Sequence, residues 1–440
     1  CADYARDWGR FTRQVPRGVV SPRSAEEVAG VVRSASREGV QLAIRGGGHS
    51  QGGQTLTERG VVLSTELLNR IELADSDLLR MQGGAEFGHA VNCMHGSGRL
   101  PAVLPDYATI TAGGLISAGG VGSTSHRHGL FVQQVERLEV VTGTGERVRC
   151  SMDRNAGLFH AVRSGQGQFG VITDAWIRTR KLRSRCRMYE LHYRDPERFV
   201  ADIGRVMDDG RFDHLKGEIR INEGLIILSA GLDYDYDKEP GDTKLLGGLG
   251  HDEHVSTRDI VGHGSNQMYP RWVFSRQHIH PWQDWFLPFE ALGKLLDPHW
   301  LDWRRLTDRP LRWVGLYFLG GDAYQQRPPL LMVPPGERAV CFSILNMADT
   351  NRDAKAMAVL RYLEQVDRDV IRLGGKRYLS GACRFDRKRW KQHYGRVMDM
   401  GIDWKQAFDP GSVFSGAHMP FSADANGHRR DSETKHAGSS

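Results

Sequence analysis

The 440-residue chain is longer than a single hydrophobic core usually fills, so two domains are expected. With 40% hydrophobic and 25% charged residues the composition is that of a globular protein, and no window approaches the roughly 18 consecutive apolar residues of a membrane helix. The net charge of +6 arises from basic residues interleaved with acids, without the basic stripe of a nucleic-acid-binding protein. We therefore expect no nucleic-acid partner and no membrane partner.

The six cysteines are widely spaced and form no C-x-x-C pair, which argues against a zinc ribbon and gives no disulfide framework. We predict no bound metal. Because the sequence begins at Cys1 without an initiator methionine, a signal peptide would have been lost with the upstream residues. The unpaired cysteines favour a cytoplasmic location, and the trimmed N-terminus leaves secretion open.

The N-terminal part of the chain alternates helical and strand patterns. A capping box at residues 24–27, followed by valines at helical spacing, predicts a helix that ends at Gly39. The apolar runs at 40–44 and 61–63 predict short buried strands, and residues 135–142 predict a half-buried strand. This alternation predicts a compact α+β unit.

The first of three glycine-rich segments, residues 45–54, directly follows a predicted strand. Its three successive glycines allow backbone N–H groups to approach a bulky anion, where any Cβ would intrude. Arg45 adds a positive charge suited to a phosphate, and His49 places a nucleophilic ring at the edge of the loop. The spacing matches neither the Rossmann motif nor the P-loop, and the segment alone is also typical of a glycine-rich turn with a solvated histidine.

The second glycine-rich segment, residues 104–120, presents Asp106 directly after Pro105. Because the proline restricts the backbone on both sides, we expect the carboxylate on a rigid turn, where it suits either a general base or a cap of the following turn. The third segment, residues 164–173, leads from a glycine loop into a predicted strand. Three such loops in one domain indicate one large ligand.

Four motifs follow one another in this part of the chain: Arg-Gly-x-Gly-His-Ser, Asp-Tyr-x-x-x-Thr-x-Gly-Gly, Arg-His-Gly and Gly-Gln-Phe-Gly-Val-Ile-Thr. Together they resemble the cytokinin dehydrogenases, members of the wider group of flavoproteins with a PCMH-type (vanillyl-alcohol oxidase-like) FAD-binding domain. The resemblance continues through residues 280–288, 376–379, 390–395 and 408–410. It therefore spans nearly the whole chain.

The resemblance implies an α+β fold of two domains. The FAD-binding domain would comprise residues 1–180 and 385–421, and an α+β substrate-binding domain would comprise residues 181–384. Within the latter, the apolar pattern predicts a strand at 226–228 and an amphipathic helix around 357–363. The polar residues 422–440 are expected to be disordered.

By the same resemblance, His49 would be bonded covalently to the 8α-methyl group of FAD, and Asp106 would be the catalytic acid/base. Non-covalent FAD is the alternative, since related enzymes lack the bond. The cysteinyl link of berberine-bridge relatives is not expected, because Tyr107 holds that position. Further contacts with the cofactor are expected from Arg45, Gly46, Gly47, Gly48, Ser50, Gln54, Asp106, Tyr107, Thr111, Gly113, Gly114, Ser117, Gly120, Gly167, Gly170, Val171, Ile172, Tyr378 and His418.

The chain departs from the family pattern at three places. His418 stands where the family has a flavin-contacting glutamine, which changes the donor geometry. Ser380 follows Leu379 where the family has a proline. The family's substrate-binding glutamate has only a regional candidate, Glu218, which argues against cytokinin itself as the substrate.

These features predict an FAD-dependent oxidoreductase that transfers hydride to flavin N5 from a C–H bond next to nitrogen, giving an imine or carbonyl. The substrate would be a small molecule, either a cytokinin-like secondary amine or a biosynthetic intermediate, with O₂ or another electron acceptor. The alternative keeps the fold and oxidises an alcohol, a sugar or another natural product, or cyclises it. A third hypothesis is a binding or scaffold protein that keeps the fold without redox chemistry. The presence of His49 and Asp106 argues against it, because such a protein needs neither residue. The sequence gives no oligomeric state.

Overall fold

The computed structural model describes residues 2–75, 77–220, 223–261, 278–297, 313–346, 348–349, 353–383, 385–416 and 420–421. The predicted disordered tail at 422–440 and the predicted contact His418 lie outside the described residues. Within the described part of the chain, no helix combines the length and the apolar character needed to cross a bilayer.

A small parallel sheet opens the fold, with strand order β1-β3-β2 and one covering helix. The predicted helix is confirmed: Ser24 accepts a hydrogen bond from the backbone of Glu27, and Gly39 ends the helix with φ of 63°. The predicted strand at 40–44 begins two residues later than expected. The elements are β1 (Gly18–Val20), α1 (Ala25–Glu38), β2 (Leu42–Arg45) and β3 (Val61–Ser64).

A second sheet, antiparallel, has the order β4-β5-β9-β7-β8, and β6 pairs with β9. Its strands are β4 (Ile71–Asp75), β5 (Leu78–Gln82), β6 (Arg99–Pro101), β7 (Val135–Val141), β8 (Arg147–Ser151) and β9 (Val171–Lys181). The helices between them are α2 (Phe87–His95), α3 (Ala112–Ala118), α4 (Ser125–His128) and α5 (Ala156–Val162).

The expectation of a half-buried strand at 135–142 is wrong. In β7 only Glu136 and Arg137 are not fully buried. The strand lies between β8 and β9, with Leu138 in one hydrophobic core and Val141 in another. Both faces of the strand are therefore buried, and the alternation of side chains along it does not separate a solvent-exposed face from a buried face.

The largest sheet is antiparallel, with strand order β13-β10-β12-β11-β16-β17-β15-β19, and β14 pairs separately with β18. The strands are β10 (Arg185–Tyr193), β11 (His214–Arg220), β12 (Leu225–Tyr234), β13 (Glu253–Val261), β14 (His278–Ile279), β15 (Gln283–Pro288), β16 (Trp313–Leu319), β17 (Ala339–Leu345), β18 (Ala348–Asp349) and β19 (Lys376–Tyr378). The helices are α6 (Pro196–Asp209), α7 (Asp242–Leu246), α8 (Leu292–Leu296), α9 (Gly321–Gln325), α10 (Asp353–Arg372), α11 (Arg387–Tyr394) and α12 (Val397–Phe408). The predicted strand at 226–228 and helix around 357–363 are confirmed within β12 and α10.

The two faces of this sheet serve different cores. Along β16, Leu316 and Phe318 pack into the core shared with α6, α8 and α10, whereas Tyr317 and Leu319 pack into the core that contains α3 and β9. Successive side chains of a strand point to opposite faces, so one face of the sheet is turned towards the glycine-rich segments.

The C-terminal part of the chain returns to the N-terminal sheets. Phe414 bridges to Leu42, and Lys405 donates a 2.8 Å hydrogen bond to the carbonyl of Gln168. Residues 385–416 thus pack beside the third glycine-rich segment. The domain boundaries themselves stay predictions.

Candidate functional site

A large cleft lies between the three glycine-rich segments and the face of the eight-stranded sheet that is turned towards them. It comprises about 1530 Å³ of space between protein atoms, part of it open to solvent. Most residues predicted to contact a cofactor line it: Gly46, Gly47, Gly48, His49, Ser50, Gln54, Asp106, Tyr107, Thr111, Gly113, Gly114, Ser117, Gly120, Gly167, Gly170, Ile172 and Tyr378.

Arg45, Val171 and His418 complete the predicted set, and the first two do not line the cleft. The Arg45 guanidinium donates a 3.1 Å hydrogen bond to the carbonyl of Arg6 and lies over the ring of Tyr4, so it holds the N-terminal segment. Val171 is buried in the core against the first sheet. The third, His418, lies outside the described residues. A positive charge next to a glycine loop suggested a phosphate contact for Arg45, and no local pattern indicated the backbone carbonyl that its guanidinium binds.

The first two glycine-rich segments pack so closely that side chains would not fit between them. A Cβ on Gly47 would lie 2.5 Å from the carbonyl oxygen of Thr109, and a Cβ on Gly46 would collide with the hydroxyl of Thr111. Gly48 adopts φ of 72°, which L-residues rarely take. The backbone therefore forms a bare wall of the cleft, against which a bulky ligand can lie.

His49 is held in a defined orientation at one end of the cleft. Its Nε2 is 2.8 Å from the hydroxyl of Thr109, and the indole of Trp8 stacks on its ring with centroids 4.9 Å apart. Burial lowers the pKa of His49 to about 4, so the imidazole is neutral at pH 7. In the described part of the chain Nδ1 has no hydrogen-bond partner, and it is the ring nitrogen left for chemistry.

The N-terminal segment that supports His49 was missed by the sequence reasoning. The backbone N–H of Trp8 donates to the carbonyls of Gly48 and Ser50, both at 3.0 Å. The buried carboxyl of Asp7 accepts a 2.8 Å hydrogen bond from the Gly53 backbone. No periodicity or motif marks this segment as part of the site. The available signal was the presence of an acidic and an aromatic residue, Asp7 and Trp8, before the first helix.

Asp106 projects into the cleft from the turn after Pro105. Its Oδ2 accepts a 2.6 Å hydrogen bond from the hydroxyl of Tyr317 and forms an ion pair with the ammonium group of Lys216. Among the described residues none bonds to Oδ1. The cap of the following helix α3 is Thr111, so Asp106 does not cap it. Its carboxylate has one oxygen fixed by the protein and one available in the cleft.

Tyr317 and Lys216 were also missed, because they meet Asp106 only through strand pairing. Lys216 of β11 lies opposite Tyr317 of β16 in the antiparallel register. The regional candidate Glu218, also on β11, instead pairs with Arg220 at 3.2 Å and is not part of the cleft lining.

A second carboxyl group, Asp284 of β15, lines another part of the cleft. It accepts a 2.7 Å hydrogen bond from the hydroxyl of Ser380, and its burial raises the pKa of its side chain. Nearby, the hydroxyl of Tyr378 accepts a 2.8 Å hydrogen bond from the backbone of Gly120. The bond between Gly120 and Tyr378 joins the sheet to the second glycine-rich segment.

A family model described as an FAD binding domain matches residues 16–151, the range that contains His49 and Asp106. The cleft fits FAD in two respects: its glycine wall leaves room for a bulky ligand, and a neutral imidazole and a carboxylate line the same cleft. The protein is an FAD-dependent oxidoreductase.

Its relatives define the family. The chain is 30% identical over 427 residues to an uncharacterized oxidoreductase, ORF5 in the fasciation locus of Rhodococcoides fascians, across 94% of this chain and 96% of that protein. It is 34% identical to cytokinin dehydrogenase 7 of Oryza sativa subsp. japonica over 51% of this chain, but spans only 45% of that relative. With cytokinin dehydrogenase 9 of the same plant the identity is 24%, across 95% of this chain and 88% of the relative. The chain belongs to the PCMH-type FAD-dependent oxidoreductases, and it is similar to cytokinin dehydrogenases.

Among solved structures, a glucooligosaccharide oxidase from Acremonium strictum matches with a TM-score of 0.73. The match covers 94% of this chain and 93% of that chain at 18% identity, and it shows the fold. The FAD of that oxidase is described as 6-S-cysteinyl and 8α-N1-histidyl. The predicted α+β fold of the PCMH type is confirmed.

Proposed function

We propose that this enzyme oxidises a small molecule at a C–H bond next to nitrogen or oxygen, and that Asp106 accepts the proton from that heteroatom. Bound FAD supplies the acceptor for the hydride at N5 of its ring system. The carbon loses a hydride, the neighbouring N–H or O–H loses a proton, and a C=N or C=O bond forms. A secondary amine, cytokinin-like or a biosynthetic intermediate, is the first candidate substrate, supported by the cytokinin dehydrogenase relatives.

The position of Asp106 is the observation that carries this proposal. A general base has to lie within hydrogen-bond reach of the proton that it removes. Tyr317 and Lys216 both bind Oδ2, so the carboxylate cannot turn away and Oδ1 stays directed to the cleft. Asp106 can therefore hold the substrate through the departing proton and so orient its C–H bond.

We also propose that FAD is bonded to Nδ1 of His49. Thr109 occupies Nε2, and the low pKa of His49 leaves the ring neutral and nucleophilic. Formation of the bond between Nδ1 and the 8α carbon removes two protons and two electrons in total, and O₂ or another acceptor takes the electrons. A single link is expected, because Tyr107 holds the position of the cysteine that forms the second link in berberine-bridge relatives; its ring centroid lies 5.7 Å from that of His49.

An alcohol is the second candidate substrate, and the ion pair at Asp106 favours it. A carboxylate that is already paired with Lys216 has less attraction for a cationic amine, whereas a neutral hydroxyl needs only a hydrogen-bond acceptor. The enzyme would then be an alcohol, sugar or natural-product oxidase on the same fold.

Bleaching of the visible flavin absorption under anaerobic conditions tests the proposal. A panel of cytokinins, other secondary amines, alcohols and sugars is mixed with wild type, with Asp106→Asn and with the control Asp75→Asn, an exposed carboxylate outside the cleft. We expect one class to bleach wild type and the control, with a rate about 100-fold or more lower in Asp106→Asn. Equal rates in Asp106→Asn and wild type would contradict the role of Asp106.

A further inference from the structure

The ion pair between Lys216 and Asp106 is a feature that proton abstraction by a carboxylate does not require. Its burial is pronounced, with 11% of the Lys216 side chain and 3% of the Asp106 side chain exposed. Taking an ammonium group out of water is costly unless its surroundings compensate for the lost hydration. Lys216 therefore needs a site built around it.

The sheet supplies that site. The Lys216 ammonium lies 4.8 Å from the ring centroid of Trp313 and 5.3 Å from that of Tyr317, within the range of cation–π attraction. Gly315, between these two aromatic residues on β16, leaves space for the indole: a Cβ there would collide with the Trp313 ring. The aromatic rings and the carboxylate thus enclose the ammonium group.

We propose that Lys216 is a specificity-determining residue that restricts the reacting group of the substrate to a neutral one, a hydroxyl or an uncharged amine, and excludes an alkylammonium ion. The proposal rests on the function assigned above to Asp106. Any cation close enough to bind Oδ1 is also close to the ammonium that binds Oδ2 of the same carboxylate. Two like charges repel more strongly beside these largely buried side chains than in bulk water, while a hydroxyl meets no such repulsion.

Among the described residues that line the cleft, the acidic side chains are Asp106 and Asp284. Asp284, the second carboxyl of the lining, lies on β15, which is three strands from β11 in the sheet order β11-β16-β17-β15. At about 4.8 Å between neighbouring strands, the backbones of β11 and β15 are roughly 14 Å apart. The carboxylate with which the Lys216 ammonium pairs is Asp106.

Binding of three probes of similar shape and different charge tests this inference: benzyl alcohol, benzylammonium and benzoate. Binding is followed by perturbation of the flavin spectrum at pH 8 in wild type, Lys216→Met, the conservative Lys216→Arg, and the double variant Asp106→Asn with Lys216→Met. No turnover is needed, so this measurement stands apart from the bleaching test of Asp106. Retention of bound flavin and an unchanged melting temperature report that each variant is folded.

We expect Lys216→Met to bind benzylammonium about tenfold or more tightly than wild type, because the cleft then carries an uncompensated negative charge. Benzyl alcohol should change by less than about threefold, since a neutral ligand has no ion to gain or lose. Lys216→Arg should resemble wild type, and the double variant should lose the preference for benzylammonium.

Equal benzylammonium affinity in wild type and Lys216→Met would overturn the proposal. Failure of all three probes to bind to either protein would also overturn the proposal, because the charge of a ligand would then not determine whether it binds at this site. If Lys216→Met does not fold, the same comparison is made with Lys216→Gln.

Discussion

His49 and Thr109 are joined by a 2.8 Å hydrogen bond between the imidazole Nε2 and the threonine hydroxyl. The two residues come from different glycine-rich segments. Their bond determines which ring nitrogen is engaged by the protein and leaves Nδ1 at the cleft. The stack of the Trp8 indole on the imidazole limits rotation of the ring.

Loss of this hydrogen bond should slow covalent attachment of FAD. In Thr109→Val we expect incorporation of acid-stable flavin to be about fivefold slower, the equivalent of roughly 1 kcal/mol for one hydrogen bond. Thr109→Ser should restore the wild-type rate, and His49→Ala should release all its flavin on acid precipitation. The readout is flavin absorbance in pellet and supernatant after apoprotein is mixed with FAD. Equal incorporation by Thr109→Val and wild type would remove Thr109 from this role.

The carboxyl of Asp7 should make stability depend on pH. Burial raises the pKa of Asp7 to about 6 in the folded protein, above its ordinary value of 3.8. A raised pKa means that the folded state is favoured below about pH 4 and loses this advantage as pH rises through 6. Asp7→Asn removes the titrating group and keeps an acceptor for the Gly53 N–H. Its stability relative to wild type should therefore increase by about 3 kcal/mol between pH 4 and pH 8.

Urea denaturation at both pH values measures this difference. The control is Asp3→Asn, at an exposed carboxyl of the same segment, which should stay within about 0.5 kcal/mol of wild type. A constant difference between Asp7→Asn and wild type across the pH range would show that Asp7 does not titrate as its burial requires.

Lys405 should be needed to hold the C-terminal part of the chain. Its buried ammonium forms a 2.6 Å ion pair with Asp409 and donates to the carbonyls of Gln168 and Phe414, each at 2.8 Å. Lys405→Met leaves the Asp409 charge without its partner, and we expect a loss of about 3–5 kcal/mol of stability. Lys388→Met, at an exposed position of α11, should cost less than about 0.5 kcal/mol. Melting temperatures that match in the two variants would argue against this role.

The close packing at Gly47 gives a further prediction. In Gly47→Ala the new methyl group would meet the carbonyl of Thr109, which is backbone and cannot turn aside, so we expect lower flavin content in the purified protein. Gly30→Ala is the control, because its Cβ would meet nothing within 4 Å on helix α1. That variant should keep its flavin and gain about 0.5–1 kcal/mol, since alanine favours the helix over glycine. Full flavin content in Gly47→Ala would show that this wall of the cleft can move.

Several features of this protein follow from short stretches of sequence. The helix that starts at Ser24 and ends at Gly39 was predictable, because caps act within four residues of the helix ends. The three glycine-rich segments and the turn at Asp106 were recognisable for the same reason. In each of these the interaction that determines the structure is made by neighbours in the chain. Ordered motifs then identified the fold.

Only the tertiary structure decided the chemistry around Asp106. Tyr317 and Lys216 are 211 and 110 residues away from it in the chain, and strand pairing brings both to one carboxylate oxygen. Tertiary contacts likewise turned Arg45 towards the N-terminal segment and buried both faces of β7. Such contacts join residues that are distant in the chain, and their energies depend on burial and register, which local patterns do not contain. Residue types and motifs therefore determined the kind of enzyme. The packing of the sheet against the glycine-rich segments determined that a lysine ammonium group lies beside the carboxylate of Asp106.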